Sequence, residues 1–337
     1  MEDLVGLFSR SRLPRPLRQC VSRLGSRAFV DVAADSMPVR PPGRYPKLFV
    51  VGAPRSGTTW LQNMLRCHPR VIATRESQLC SQILNHLCRT DHRLRENWRA
   101  LLEIYDRRAA HNPTVGVHRY VTRGVYRQIL DAAWECVERN PTLSDEDAAG
   151  IVMRDVLDAF FVAHAGTDRD LLVEKTPIHV LHGEYLLETF PEARLVHVLR
   201  DGRDVCVSLQ MRARSAGWTP LDRAAQIQFW KRCVQQGRQL SKAARYQARV
   251  IEIRYEDLKH NPIEQTGRLL RFAGLDDSAR RIRRIVHRND FQRYRRTGRG
   301  QHNRKGVVGD WRNHFSPGDA ALFQQLAGDM LEQCGYA

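Results

Sequence analysis

Two glycines and several hydrogen-bond donors interrupt an apolar stretch near residue 50 of this 337-residue chain. Segment 47–65 reads KLFVVGAPRSGTTWLQNML, and its first apolar run is rich in β-branched residues, which predicts a buried strand. Helical spacing resumes at Thr58, so we predict a strand, a turn and a helix. The N–H groups of such a turn converge at the positive end of the helix dipole, where Arg55, Thr58 and Thr59 add further donors. This arrangement is suited to binding an anion.

Charged side chains follow two other predicted strands. Glu76 stands just past a short strand at 71–73, and Lys175 follows a strand at 171–173, immediately before a threonine and a proline. Ligands of parallel sheets bind beyond the carboxyl ends of the strands. We therefore expect Glu76 and Lys175 to face the same crevice as Arg55, with the lysine opposite an oxyanion.

A second predicted anion-binding group lies further along the chain. Arg200 ends an apolar strand at 195–199, and Ser208 lies eight residues later on a predicted helix. This separation lets a guanidinium and a hydroxyl hold one phosphate from two sides. Tyr255 follows a fifth strand, at 250–254.

Positioning these side chains requires a framework of adjacent parallel strands. The predicted fold class is α/β, with a central, mainly parallel sheet flanked by helices. Residues 1–44 form a basic N-terminal segment with a proline-rich connector, and 45–337 form a single domain. Within it, 78–168 has a charged helical pattern and is predicted to be an insertion or lid that forms the acceptor pocket. Ser144 is the predicted N-cap of an amphipathic helix in that insertion.

The loop resembles a known phosphosulfate-binding motif. The spacing of Gly52 and Gly57 is that of a nucleoside-triphosphate phosphate loop, but Thr58 replaces that motif's lysine, which argues against ATP or GTP. PRSGTTW resembles instead the 5′-phosphosulfate loop of sulfotransferases that use 3′-phosphoadenylyl sulfate (PAPS). The arginine followed eight residues later by serine resembles that family's 3′-phosphate motif, and RKGxxGDWxNxF at 304–315 resembles its C-terminal motif.

The resemblance implies a phosphate-loop-like α/β fold, PAPS as cofactor and a sulfuryl transfer that needs no metal. It implies three catalytic residues, Glu76, Lys175 and Arg55. The cofactor-binding residues that it implies are Arg55, Ser56, Gly57, Thr58, Thr59, Trp60, Arg200, Ser208, Tyr255, Arg304, Lys305 and Gly306.

The identity of the general base is open at this point. Cytosolic members of the family use a histidine two residues after the lysine, and Pro177 stands there in this chain. Glu76 matches the glutamate base of protein-tyrosine sulfotransferases, and His179 is the second candidate. Glu256 and Asp257 are interpreted as favourable charges at a helix start, because nothing near them in the sequence completes a metal site. Arg203 and Asp204 are expected to cap or pair locally.

A formal net charge of +17 indicates an anionic ligand or partner. The arginines are spread without the aromatic pattern of an RNA-binding module, so we expect no specific nucleic-acid partner. Arginines around an apolar face near residues 17–24 leave peripheral membrane contact open. The eight cysteines are scattered without metal-site spacing and are interpreted as reduced thiols.

We expect a cytoplasmic protein, with membrane association of its N-terminal segment as an alternative. No apolar run approaches the roughly 20 residues that cross a bilayer, and the first ten residues lack a signal peptide's apolar core. The expected acceptor is a small molecule, a glycolipid or another hydroxylated compound. Two other functions remain open, a nucleotide-dependent kinase and a non-enzymatic binder of nucleic acid or membranes. The oligomeric state is open as well.

Overall fold

The strands of the described residues form one five-stranded parallel sheet. The computed structural model describes residues 33–35, 45–87, 94–166, 170–213, 222–290 and 306–336. The strands follow the order β2-β3-β1-β4-β5 across the sheet. Their bounds are β1 (Lys47–Gly52), β2 (Val71–Ala73), β3 (Leu171–Glu174), β4 (Arg194–Leu199) and β5 (Val250–Arg254).

Helices flank the sheet, as the α/β prediction requires. In chain order, the longer α-helices of the described residues are α1 (Thr58–Arg66), α2 (Leu94–His111), α3 (Arg123–Arg139), α4 (Asp145–His164), α5 (Gly183–Thr189), α6 (Gly202–Ala213), α7 (Arg223–Lys242), α8 (Tyr255–His260), α9 (Pro262–Phe272), α10 (Ala279–Arg288) and α11 (Pro317–Gln333). A π-helix (Cys80–Leu84) continues into one α-turn (Asn85–Leu87).

The predicted strands are confirmed to within one residue at either end. Leu48, Phe49, Val50 and Val51 are all fully buried in β1. An uninterrupted apolar run is expected where a parallel strand is covered on both faces. Burial of one such side chain contributes about 1.5–3 kcal/mol, so the run stabilises the strand that leads into the glycine turn.

Two helices begin close to strand ends. Helix α6 begins at Gly202 and contains Ser208, as predicted. Helix α8 follows β5 without a loop. Glu256 and Asp257 lie in the first turn of α8. Their interpretation as helix-start charges is confirmed.

The chain divides into two compact units, each made of separate stretches. One comprises residues 1–46 and 69–172, and the other comprises 47–68 and 173–337. In the second unit, Phe49 of β1 lies opposite Leu195 of β4, which lies opposite Val250 of β5. Strands β1, β4 and β5 therefore end together at their carboxyl ends.

The first unit is built on helices with defined starts. The Ser144 hydroxyl accepts from the Asp147 N–H (3.1 Å), and the Asp147 carboxylate accepts from the Ser144 N–H (3.0 Å). This capping box confirms the predicted N-cap of α4. Thr122 caps α3 in a similar way, with its hydroxyl accepting from the Val125 N–H. Throughout the portions of the chain described here, no helix combines the length and apolarity needed to cross a bilayer.

The close approach of Gly52 to β4 generates a stability prediction. Gly52 has φ +151°, and a Cβ there would lie 2.5 Å from the carbonyl oxygen of Val198. Gly52→Ala should therefore lower the free energy of unfolding by about 2 kcal/mol or more. The control is Gly124→Ala on α3, where a Cβ meets nothing within 4 Å and stability should stay equal or rise by up to about 1 kcal/mol. Urea denaturation followed by circular dichroism would compare them, and equal midpoints would contradict the prediction.

Candidate functional site

The turn between β1 and α1 combines an uncapped helix start with a buried hydroxyl group. Gly57 is the N-cap of α1 with φ +99°, and no side chain caps this helix end. A Cβ on Gly57 would lie 2.5 Å from Cδ2 of Tyr255, so the position accepts only glycine. Ser56 is 1% exposed, and its hydroxyl has no hydrogen-bond partner among the described residues. An uncapped helix start beside an unpaired buried hydroxyl fits an anion.

Arg55 connects this turn with the second predicted anion-binding group. Its backbone lies in the left-handed region (φ +76°), and its Nε donates to the Ser208 hydroxyl at 3.0 Å. An Nη of Arg200 donates to the carbonyl oxygen of Arg55 at 3.2 Å. The second unit thus brings together Arg55, from the predicted phosphosulfate loop, and Arg200 and Ser208, from the predicted 3′-phosphate motif.

Lys175 is directed at the start of helix α1. It is 5% exposed, and its ammonium donates to the Thr59 hydroxyl at 3.2 Å. Behind it, the Glu174 carboxylate accepts from the Thr176 hydroxyl at 2.6 Å and lies 3.1 Å from Nδ1 of His179. His179 is fully buried in this network, so the structure does not favour the second candidate base.

Tyr255 lies between three of the predicted motifs. Its hydroxyl donates to the carbonyl oxygen of Gly306 at 3.1 Å, and the Arg200 guanidinium lies 4.3 Å from the ring centre. The Trp60 ring meets it edge-on at 5.5 Å. Burial raises the pKa of the Tyr255 phenol, against the opposing effect of Arg200, so the hydroxyl stays protonated and donates. The predicted nucleotide contact of Tyr255 stays a prediction.

Asp204 has a longer-range role than we predicted. Its fully buried carboxylate accepts from the N–H groups of Gly309 and Trp311, both at 2.9 Å, and lies 3.6 Å from Arg200. The predicted local pairing is confirmed by the contact with Arg200, but the two N–H groups from which the carboxylate accepts lie over 100 positions away and were not predicted.

The acidic residues after β5 have protein partners. Glu256 accepts from the Asp201 N–H at 3.1 Å and from the Tyr336 hydroxyl at 2.8 Å, while burial raises the pKa of its carboxyl. Arg203 pairs with Asp201 at 2.8 Å, as the local-pairing prediction required. Within the described ranges, no group of three or more histidine, cysteine, aspartate or glutamate side chains is arranged to hold a metal ion.

Glu76 belongs to the first unit and follows β2 as predicted. The Gln78 amide donates to its carboxylate at 3.1 Å, and the Gly116 N–H donates to its backbone carbonyl at 2.8 Å. Sequence reasoning missed Gln78, because its left-handed backbone (φ +57°) has no local signature. Arg304 and Lys305 lie outside the described residues, whereas Gly306 is buried beside Tyr255.

The amino-acid sequence of this chain matches the model of one known protein family. A model described as "Sulfotransferase family" matches residues 46–279, more than half of the chain. This chain belongs to the sulfotransferase family. The matched range includes the turn at Arg55 and the residues Lys175, Arg200 and Ser208.

Curated relatives of this chain match at low identity. A protein-tyrosine sulfotransferase of Drosophila melanogaster is 25% identical over 233 residues, covering 67% of this chain and 38% of the relative. Protein-tyrosine sulfotransferase 2 of Gallus gallus is 23% identical over 276 residues, covering 79% of this chain and 59% of the relative. The chain thus spans only part of each relative's length.

A solved structure supports the fold. Mouse sulfotransferase SULT7A1, crystallised in complex with PAP, superposes with a TM-score of 0.51 over 86% of each chain at 17% identity. This similarity agrees with the α/β architecture of the present chain.

The two bonds that Asp204 accepts generate a prediction about local order. Asp204→Ala should leave the N–H groups of Gly309 and Trp311 without their acceptor, a loss of about 1–3 kcal/mol for a buried group. Both amides should then exchange hydrogen with solvent faster, as measured by hydrogen–deuterium exchange and mass spectrometry. Asp131→Ala on the exposed face of α3 is the control. Unchanged exchange at 309–311 in Asp204→Ala would contradict the assignment.

Proposed function

We propose that this sulfotransferase transfers the sulfuryl group of PAPS to a hydroxyl, or an amine, of an acceptor. The observation that supports it most directly is the meeting of Arg55, Arg200 and Ser208 beside the uncapped start of α1. The donor has a 5′-phosphosulfate and a 3′-phosphate, which need two adjacent cationic groups. The buried, unpaired Ser56 hydroxyl adds a donor suited to one of these anions.

Each cationic element has a proposed role in binding. The turn from Arg55 to Trp60, with Ser56, Gly57, Thr58 and Thr59, binds the phosphosulfate through backbone N–H groups and hydroxyls. Arg200 and Ser208 bind the 3′-phosphate, and Arg304, Lys305 and Gly306 are proposed to complete that site. Tyr255 supports the nucleotide beside them.

The reaction is proposed to depend mainly on positioning and charge. When bound, the donor supplies an activated sulfuryl group. Lys175, held by Thr59 at the helix start, and Arg55 neutralise negative charge that develops on the transferring oxygens. Glu76 accepts the proton that the acceptor loses as its oxygen or nitrogen bonds to sulfur. The bond between sulfur and the bridging phosphate oxygen breaks, and adenosine 3′,5′-bisphosphate leaves. Glu76 is preferred over His179 because His179 is buried against Glu174.

A binding experiment tests the donor assignment. Adenosine 3′,5′-bisphosphate (PAP) at about 100 times its dissociation constant should stabilise the protein by about 2.7 kcal/mol. ATP with Mg²⁺ should give a smaller shift, since the chain lacks the lysine of a triphosphate loop. Thermal-shift assays with both ligands would decide, and a larger shift with ATP and Mg²⁺ would favour a kinase instead.

Removal of one cation should weaken the same binding. Arg200→Ala is expected to raise the dissociation constant for PAP by about tenfold or more, because a charge-assisted hydrogen bond contributes about 1.5–3 kcal/mol. Arg283→Ala, an exposed arginine on α10, removes the same charge away from the turn and is the control. Isothermal calorimetry would compare them, and equal affinities would refute the role of Arg200.

The proposed base should affect turnover and leave donor binding intact. Glu76→Gln is expected to lower kcat by about 10²- to 10⁴-fold, the usual loss for a missing general base. Turnover would be measured with radiolabelled PAPS and a panel of acceptors comprising 4-nitrophenol, a primary alcohol, a sugar and a tyrosine peptide. Affinity for PAP should stay unchanged. A variant that turns over at the wild-type rate would exclude Glu76 as the base.

A further inference from the structure

A strained residue lies in the turn that carries Glu76. Gln78 has φ +57°, a region that glycine adopts freely and that residues with a Cβ adopt at a cost. Backbone geometry alone would therefore favour glycine at this position. The presence of a long amide side chain at a strained position suggests that the side chain itself has a use.

Both ends of the Gln78 amide have partners. Its Nε2 donates to Oε2 of Glu76 at 3.1 Å, and the Ser81 hydroxyl lies 3.1 Å from its Oε1. An ionised carboxylate only accepts hydrogen bonds, so the NH₂ group must face Glu76 and the amide oxygen must face Ser81. The ionised form of Glu76 thus selects one orientation of the amide.

The backbone around Gln78 is also held. The Gln82 N–H donates to the carbonyl oxygen of Gln78 at 3.0 Å, and the Gly116 N–H donates to that of Glu76 at 2.8 Å. These bonds fix where the two side chains leave the turn. The Gln78 amide then restricts how the Glu76 carboxylate rotates.

We propose that Gln78 is a positioning residue that orients the carboxylate of Glu76 for proton transfer. The inference rests on the proposed function, in which Glu76 is the base. The left-handed backbone places the amide beside the carboxylate. The Ser81 hydroxyl lies between the amide oxygen (3.1 Å) and the backbone carbonyl oxygen (3.0 Å) of Gln78, so its one proton is shared between them. Gln78 acts through Glu76 and needs no contact with the donor.

Two substitutions separate the side chain from the backbone strain. Gln78→Met keeps a side chain of similar length without its hydrogen bonds, and Gln78→Gly also relieves the strain. Both should lower kcat by about 10- to 100-fold, the range for one lost hydrogen bond to a charged group, while KM for PAPS changes by less than about twofold. Gln78→Gly should nevertheless melt at the wild-type temperature or above.

A matched control and a double variant complete the test. Gln128→Met, at an exposed position on α3, should leave kcat unchanged. In a Glu76→Gln background, Gln78→Met should cause little further loss, because a residue that acts through Glu76 has nothing left to orient. Turnover is measured with PAPS and the acceptor of the panel that the wild type sulfates fastest.

The results distinguish three failures. Normal kcat in Gln78→Met, or losses that multiply in the double variant, would overturn the positioning role while the proposed function stands. Normal turnover in Glu76→Gln would refute the role of Glu76 as the base and, with it, the role of Gln78 in orienting that base. A wild-type protein that transfers to no acceptor would refute the proposed function, and the inference with it.

Discussion

A single guanidinium holds together the parts of the second unit that meet at the turn. Arg200 donates to the carbonyl oxygens of Arg55 and Val307, and its guanidinium carbon lies over the ring of Tyr255. It also lies 3.6 Å from the buried carboxylate of Asp204. Because Arg200 is 8% exposed, its charge is largely removed from water and must be compensated by these groups. Loop, strand end and C-terminal segment are therefore linked through one cation.

This concentration of positive charge explains why the site suits an anion. Arg55, Lys175 and Arg200 meet an uncapped helix start, and Asp204 is already engaged by two backbone N–H groups. An added anion would therefore be attracted by several donors at once, in surroundings where water screens them weakly. The proposed sulfuryl transfer, from a nucleotide with a 5′-phosphosulfate and a 3′-phosphate, uses the same property for binding and for catalysis.

Most of the framework could be predicted from local sequence, because apolar runs and glycine turns act within a few residues. The five strands and the turn at Gly57 belong to this class. Contacts made over long separations had no local pattern, as with Asp204 and the N–H groups of Gly309 and Trp311. The burial of His179 could not be predicted for a related reason. The helical turn that begins at Pro177 directs the His179 ring towards Glu174, and this contact is seen only in the folded chain.

The strand order has a consequence for biosynthesis. Strand β1 lies between β3 and β4, and the nearer of these along the chain begins about 120 residues after β1 ends. At about 5–20 residues per second, a ribosome needs on the order of 10 s to supply that partner. Throughout this interval the emerging polypeptide carries an unpaired, mostly apolar strand, which is a substrate for chaperones. Production in a heterologous host should thus depend on translation speed and chaperone supply as well as on final stability.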